Sequence, residues 1–180
     1  MLRNRRHLEF LTLVVVALAI FASACTSSGA DAAGENQSGI GDAELAPDFV
    51  VPTRDGGTFS LDEHLATDGR PVFLNLWASW CFPCREEMPA IDAASKVHTD
   101  VAFIGVDVQD PSRSKADEFL DQIQISYLIG FDVDDTVDGD YRPLGLPASY
   151  IISSEGVILE RIFGIITEAD VAEKFAKHFG

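Results

Sequence analysis

From Pro71 to Trp77 the chain reads Pro-Val-Phe-Leu-Asn-Leu-Trp, and Cys81-Phe82-Pro83-Cys84 follows after three residues. An apolar run of this length predicts a buried β-strand, and the residues after Cys81 predict a helix. A C-x-x-C at a strand-to-helix junction is a redox-site signature. The first turn of a helix has unpaired N–H donors and the positive end of the helix dipole, and both favour thiolate over thiol. Cys81, at the tip, is placed to attack a disulfide, and Cys84, one turn deeper, to resolve the mixed disulfide. Three other readings compete. A structural zinc site needs four ligands, and the sequence has no second cysteine pair. Covalent haem attachment needs His directly after the second Cys, where Arg85 stands. An inert structural disulfide of this spacing closes a tiny loop and constrains the unfolded chain little. The residues favour the redox reading.

The 180 residues suit one domain with a short extension, and 47% hydrophobic content is enough for a packed core. The three cysteines are Cys25, Cys81 and Cys84, so one intramolecular pair is expected and no metal site. A formal charge of −16 argues against nucleic acid, whose phosphates would be repelled.

The N-terminus predicts an export signal. Arg3, Arg5 and Arg6 form a basic head before an apolar stretch from Phe10 to Ala22. That stretch is short for a membrane span, which needs roughly 20 residues. Ala22-Ser23-Ala24 lead into Cys25, an arrangement that resembles a bacterial lipoprotein signal, although Ala22 stands where such signals usually carry Leu. The resemblance implies removal of residues 1–24 and lipidation of Cys25. Ordinary cleavage near Ala24, with Cys25 a spectator, is the alternative. Losing residues 1–24, which hold three Arg and one Glu, would take the formal charge from −16 to −18. Lipid rather than charge would then hold the protein at a membrane.

Residues 25–44 read as a flexible tether, since Thr26 to Glu44 is rich in small and polar residues, with Ile40 its only large apolar side chain. A folded domain is expected over residues 45–180. Ala46-Pro47-Asp48-Phe49 is read as the start of a strand, Gly56-Gly57 as a turn and Thr58-Phe59-Ser60 as the other arm of a hairpin. Ser60 with Glu63 fits a capping box for a short helical turn. After the cysteines a helix is predicted to about Val97, kinked at Pro89, then a buried strand over Val101 to Val108. Ala116, Phe119, Leu120 and Ile123 recur at helical spacing, and Tyr127 to Phe131 reads as a short strand. Asp132 to Asp140 reads as an acidic loop or a single weak helical turn. Ser149 to Ile152 and Val157 to Phe163 read as a hairpin, followed by a helix over Glu168 to Phe179 that packs Val171, Phe175 and Phe179 inward. Such an order gives an α/β sandwich on a central mixed sheet.

In these residues the chain resembles the thioredoxin fold, and within it the TlpA/ResA-like family of membrane-anchored, extracytoplasmic thiol–disulfide oxidoreductases. The resemblance rests on Ala46-Pro47-Asp48-Phe49, on Phe73 to Arg85 with Glu87 and Pro89, and on Gly145-Leu146-Pro147-Ala148-Ser149. It implies a thioredoxin-like domain over residues 45–180, with an N-terminal β-hairpin and a central insertion of a helix and a strand. It makes Cys81 the nucleophile, Cys84 the resolving thiol and Pro147 a cis-proline facing the disulfide. A cis bond there would turn the backbone of Leu146 outward, where an extended substrate pairs with it as an added strand. Glu87 matches an acidic residue that relatives place near the cysteine pair. It would accept a proton from Cys84 and raise the thiol pKa by like-charge repulsion. The alternative for Glu87 is an ordinary exposed helix residue. Asn75 stands where thioredoxin has a buried Asp; it cannot titrate, which favours Glu87 as the acceptor. Trp80 and Phe82 are expected to flank the substrate contact and Trp77 to lie in the core. No role is assigned to His7, His64, His98 or His178, and Glu86, Asp134 and Asp135 are read as solvated.

The function so implied is disulfide exchange with extracytoplasmic proteins, in the reducing direction and without a cofactor. The typical substrate is apocytochrome c, and the electrons come from a membrane thiol transporter resembling CcdA or DsbD. The runner-up is the same chemistry run as oxidation. A peroxidase would need a peroxidatic Cys behind a Thr in another loop, which is missing. A copper chaperone of this fold typically has C-x-x-x-C and a distal His; here the spacing is one residue shorter and no His lies near Pro147. A purely structural binding module gives the cysteine pair no purpose.

Overall fold

The computed structural model describes residues 43–180. The expected signal at 1–24, Cys25 and nearly all of the 25–44 stretch lie outside the described residues. Glu44 is already tied to the domain: Ile158 N–H donates to its carbonyl at 2.9 Å, and its carboxylate pairs with Arg161.

Among the described residues seven strands and five helices follow in order. β1 (Val50–Pro52) and β2 (Thr58–Ser60) form an antiparallel hairpin, with Val51 opposite Phe59. Its turn uses Gly56 at φ +92°, a backbone region that costs glycine nothing. The strand starts later than the Ala46–Phe49 expectation. Leu45 and Ala46 pair instead with Val157 and Gly156, and Pro47 has no N–H to give a ladder. α1 (Leu61–Thr67) is capped by Ser60, whose Oγ accepts the Glu63 N–H at 3.2 Å.

β3 (Val72–Trp77) is buried along its whole length and leads into α2 (Phe82–Val97), which holds Pro89 in its interior. β4 (Ala102–Asp107), α3 (Arg113–Ile123), β5 (Leu128–Phe131) and α4 (Thr136–Tyr141) come next. β6 (Ala148–Ile152), β7 (Ile158–Phe163) and α5 (Glu168–Phe179) complete the chain. α4, six residues long, takes the helical one of the two alternatives expected here, the other being an acidic loop. Val137 and Tyr141, four residues apart, are both buried, and that apolar pair anchors a segment that otherwise reads as acidic. β5 and α4 supply the strand and helix of the expected central insertion.

The main sheet has the order β5-β4-β3-β6-β7, parallel across β3, β4 and β5 and antiparallel across β3/β6 and β6/β7. Alternation along β3 divides the core. Val72, Leu74 and Leu76 pack with Phe49, Phe59, Leu61, Val137 and Tyr141 on one face. Phe73 and Trp77 pack with Met88, Ile91, Phe119, Leu120, Val171 and Phe175 on the other. Asn75 lies between Phe73 and Trp77, so the same alternation points this polar side chain toward α2.

Candidate active site

Parallel β3 and β4 both end at one edge of the core, and the chain leaves β3 through Ala78-Ser79-Trp80 before α2 begins. Cys81 is the N-cap of α2: its Sγ accepts the Cys84 N–H at 3.2 Å, and its own N–H donates to Ala78 O at 3.0 Å. This places a sulfur at the positive end of a sixteen-residue helix, with Pro83 in the first turn where a missing N–H costs nothing. Cys81 and Cys84 are joined in a disulfide with their Cα atoms 5.3 Å apart.

Cys81 was expected at an exposed tip, and here the structure differs. Cys84 is fully buried and Cys81 keeps only 3% of its surface. Bonding to a partner that faces the core turns Cys81 inward, and exposure falls on its neighbours instead. Trp80 is 58% exposed and Phe82 68%, so the aromatic side chains on either side of Cys81 in the chain are open to solvent, while Trp77 is core. Of the two sulfurs, only that of Cys81 belongs to a residue with any surface for an incoming thiolate.

Pro147 precedes β6, in which Ala148 is opposite Leu76 of β3, so the proline lies at the sheet end from which the cysteine loop departs. The Leu146–Pro147 bond is cis. Pro147 is buried, its carbonyl accepting the Gly164 N–H at 3.0 Å, and Leu146 is half-buried beside it.

Glu87 is not an exposed helix residue: 1% of its surface is accessible. One turn beyond Cys84 on the same helix face, its Oε1 accepts from Asn75 Nδ2 at 2.7 Å and its Oε2 from Ile166 N–H at 3.1 Å. Asn75 Nδ2 also donates to Ser149 Oγ at 3.0 Å. Burial pushes the Glu87 carboxyl up to about 7, against the lowering effect of the bonds from Asn75 and Ile166. A group poised there exchanges protons near neutrality in either direction. The Glu87 carboxyl thus ties α2 to the central strand and to the segment after β7, and Asn75 extends the link to the strand after Pro147. Sequence reasoning marked Asn75 as unable to titrate and missed that it is the donor to Glu87. The alternation of β3 was the signal, because it aims residue 75 at the helix face that carries residue 87.

Among the described residues no group of His, Cys, Asp or Glu is arranged to hold a metal ion. His64 contacts the Arg70 carbonyl, His98 packs on Phe175 and His178 contacts Glu160, all away from the cysteines in the chain and in structural roles.

A cysteine pair capping a helix, a cis-proline beside it and a buried carboxyl one turn below, on a sheet of this order, define a thioredoxin-like thiol–disulfide oxidoreductase. The AhpC/TSA family model matches residues 43–161, and the chain belongs to that family and, within it, with the TlpA/ResA-like oxidoreductases. The thioredoxin-like protein YneN of Bacillus subtilis is 32% identical over 139 residues, 76% of this chain and 79% of that protein. The thiol–disulfide oxidoreductase ResA of Geobacillus thermodenitrificans is 29% identical over 173 residues, 94% of this chain and 91% of that protein. Among solved structures, a Chlorobium tepidum protein assigned as the thiol:disulfide interchange protein DsbE superposes with a TM-score of 0.69 at 25% identity. That likeness covers 77% of this chain and 97% of the other.

Proposed function

We propose that the protein reduces disulfides of extracytoplasmic proteins from a lipid anchor on the outer face of the cell membrane, in the manner of cytochrome c maturation. The observation that carries the direction is the buried Glu87. Strong oxidants of this fold owe their potential to a stabilised reduced form. A carboxylate buried one turn behind Cys84 in a chain of formal charge −16 opposes thiolate formation, so the disulfide is relatively favoured and the dithiol is a reductant. ResA of Geobacillus thermodenitrificans, which aligns along 94% of this chain, supports the assignment by its name as an oxidoreductase.

In the exchange, the Cys81 thiolate attacks one sulfur of the substrate disulfide and displaces the other as a thiolate. Cys84, losing its proton to Glu87, then attacks the Cys81 sulfur, releasing the second substrate thiolate and leaving Cys81–Cys84 oxidised. Trp80, Phe82 and the Leu146 backbone receive the substrate chain, for which apocytochrome c with an oxidised cysteine pair is the proposed case. A membrane thiol transporter resembling CcdA or DsbD then returns two electrons. The proposed anchor is a lipid on Cys25; no described helix is long and apolar enough to cross a membrane.

Equilibration against dithiothreitol and glutathione buffers tests the direction. A reductant gives a potential below about −200 mV, whereas one near −120 mV, as in strong oxidants, overturns the reading. Fractionation tests the anchor: Cys25→Ser is expected to release the protein from membranes, and unchanged membrane association would contradict it.

A further inference from the structure

The loop after β4 grips the loop that carries the cysteines. Four hydrogen bonds connect them: Val108 N–H to Trp77 O at 2.9 Å, Ser79 N–H to Asp110 Oδ2 at 2.7 Å, Ser79 Oγ–H to Asp110 Oδ1 at 2.6 Å and Trp80 Nε1–H to Gln109 O at 3.2 Å. Both oxygens of Asp110 are thus taken up by one residue, two places before Cys81. Gln109 adopts φ +62°, uncommon for a residue with a side chain, and is held there by Nε2 donating to Asp138 Oδ1 at 2.8 Å. Such a conformation persists only where the surroundings over-determine it, and such sites cluster where geometry matters to function.

We propose that Asp110 is a positioning residue for thiol exchange: by holding both donors of Ser79 it fixes the Ser79–Trp80 segment and so sets the angle at which Cys81 meets an incoming disulfide. This rests on Cys81 as the attacking sulfur, and it is independent of the direction of electron flow. Asp110 never touches the reacting atoms. It acts through Ser79, whose backbone N–H and hydroxyl make two charge-assisted bonds that are stronger than neutral ones.

Behind Asp110 lies Asp107, the last residue of β4, 6% exposed and with an Oδ1 that has no partner among the described residues. Burial first, then the hydrogen bond and charge of Asp110, push its carboxyl up to about 9. Asp107 therefore holds its proton at pH 7 and adds no second negative charge behind Asp110. The other charged groups facing it are Arg113 of α3, whose guanidinium lies 3.4 Å from the Phe131 ring centroid, and Asp132 beyond β5. Above pH 9 Asp107 ionises, two carboxylates face one another, and the grip on Ser79 loosens.

Kinetics of the full chain with a protein disulfide, together with iodoacetamide alkylation of Cys81 in the reduced protein as a function of pH, test this. Asp110→Ala is expected to lower kcat about tenfold with KM little changed, and to shift the pH profile of Cys81 alkylation. Ser79→Ala, which removes one of the two donors, shifts both in the same sense by a smaller factor. Asp107→Asn, which cannot acquire a charge beside Asp110, retains most activity at pH 7 and removes the decline above pH 9. A folded Asp110→Ala with unaltered kcat and alkylation profile overturns the proposal. If that variant does not fold, an unaltered profile in Ser79→Ala does so. A Cys81→Ser protein that still exchanges disulfides refutes the exchange reading itself, a result distinct from either.

Discussion

Asn75 Nδ2 donates to Glu87 Oε1 at 2.7 Å, so the central strand and the helix that carries the cysteines meet through a neutral amide and a carboxyl pushed up to about 7. Because Asn75 carries no charge, the proton-linked behaviour of this part of the core belongs to Glu87. An Asp in place of Asn75 would put two carboxyls within bonding reach, and one of them would have to stay protonated. Asn75→Asp is therefore expected to fold normally at pH 5 and to lose stability above pH 7. Urea melts at pH 5 and pH 8 check this, and equal loss at both would contradict it.

The raised value of Glu87 has a fixed sign in stability. Its carboxyl ionises near 4.5 in the unfolded chain and near 7 in the folded one, so the folded state holds the extra proton between those values. Stability from this group is full below pH 4.5, declines as pH rises to 7 and is level above it. The decline amounts to roughly 3 kcal/mol. Glu87→Gln should flatten the stability profile over that range, slow turnover and remove the inflection near pH 7 from the pH–rate profile. A rate profile identical to the parent's would return Glu87 to a structural role.

Gly105 pairs with Asn75 across β3 and β4, and a Cβ there would come within 2.9 Å of Tyr127 Cε2, 3.0 Å of Ile129 Cδ1 and 3.1 Å of Trp77 Nε1. Two of these neighbours are aromatic and closely packed, so they yield little. Gly105→Ala is expected to cost about 1–3 kcal/mol by overpacking, read from chemical denaturation of the oxidised protein.

Trp80 and Phe82, on either side of Cys81 in the chain, are exposed large apolar side chains. Replacing Phe82 with Ser should raise KM for a protein disulfide severalfold while leaving the reaction with dithiothreitol within twofold, because the small thiol needs no apolar platform. Equal slowing of both reactions would place the effect in the chemistry instead of in docking.

How far the sequence could be read varies with the kind of force involved. Apolar runs placed all five strands of the main sheet, and the spacing of Val171 and Phe175 placed the last helix from Glu168 to Phe179. The cysteine pair and Pro147 were legible because their motif is local. Glu87 was ambiguous because its burial depends on Asn75, twelve residues upstream, and on Ile166, seventy-nine downstream. The grip of Asp110 on Ser79 was not legible at all. It spans thirty-one residues, and an Asp before a Pro reads as loop punctuation whatever it bonds. α4 was ambiguous because its two buried side chains are scattered among acidic ones.

The central claim is that Cys81 is the sulfur that attacks, and acid-quenched mass spectrometry of single-cysteine variants tests it most directly. Presented with an oxidised protein substrate, reduced Cys84→Ser should accumulate a mixed disulfide through Cys81, while Cys81→Ser accumulates none and shows no exchange. A mixed disulfide forming through Cys84 in the Cys81→Ser protein, at a rate comparable to the other variant, would contradict the account.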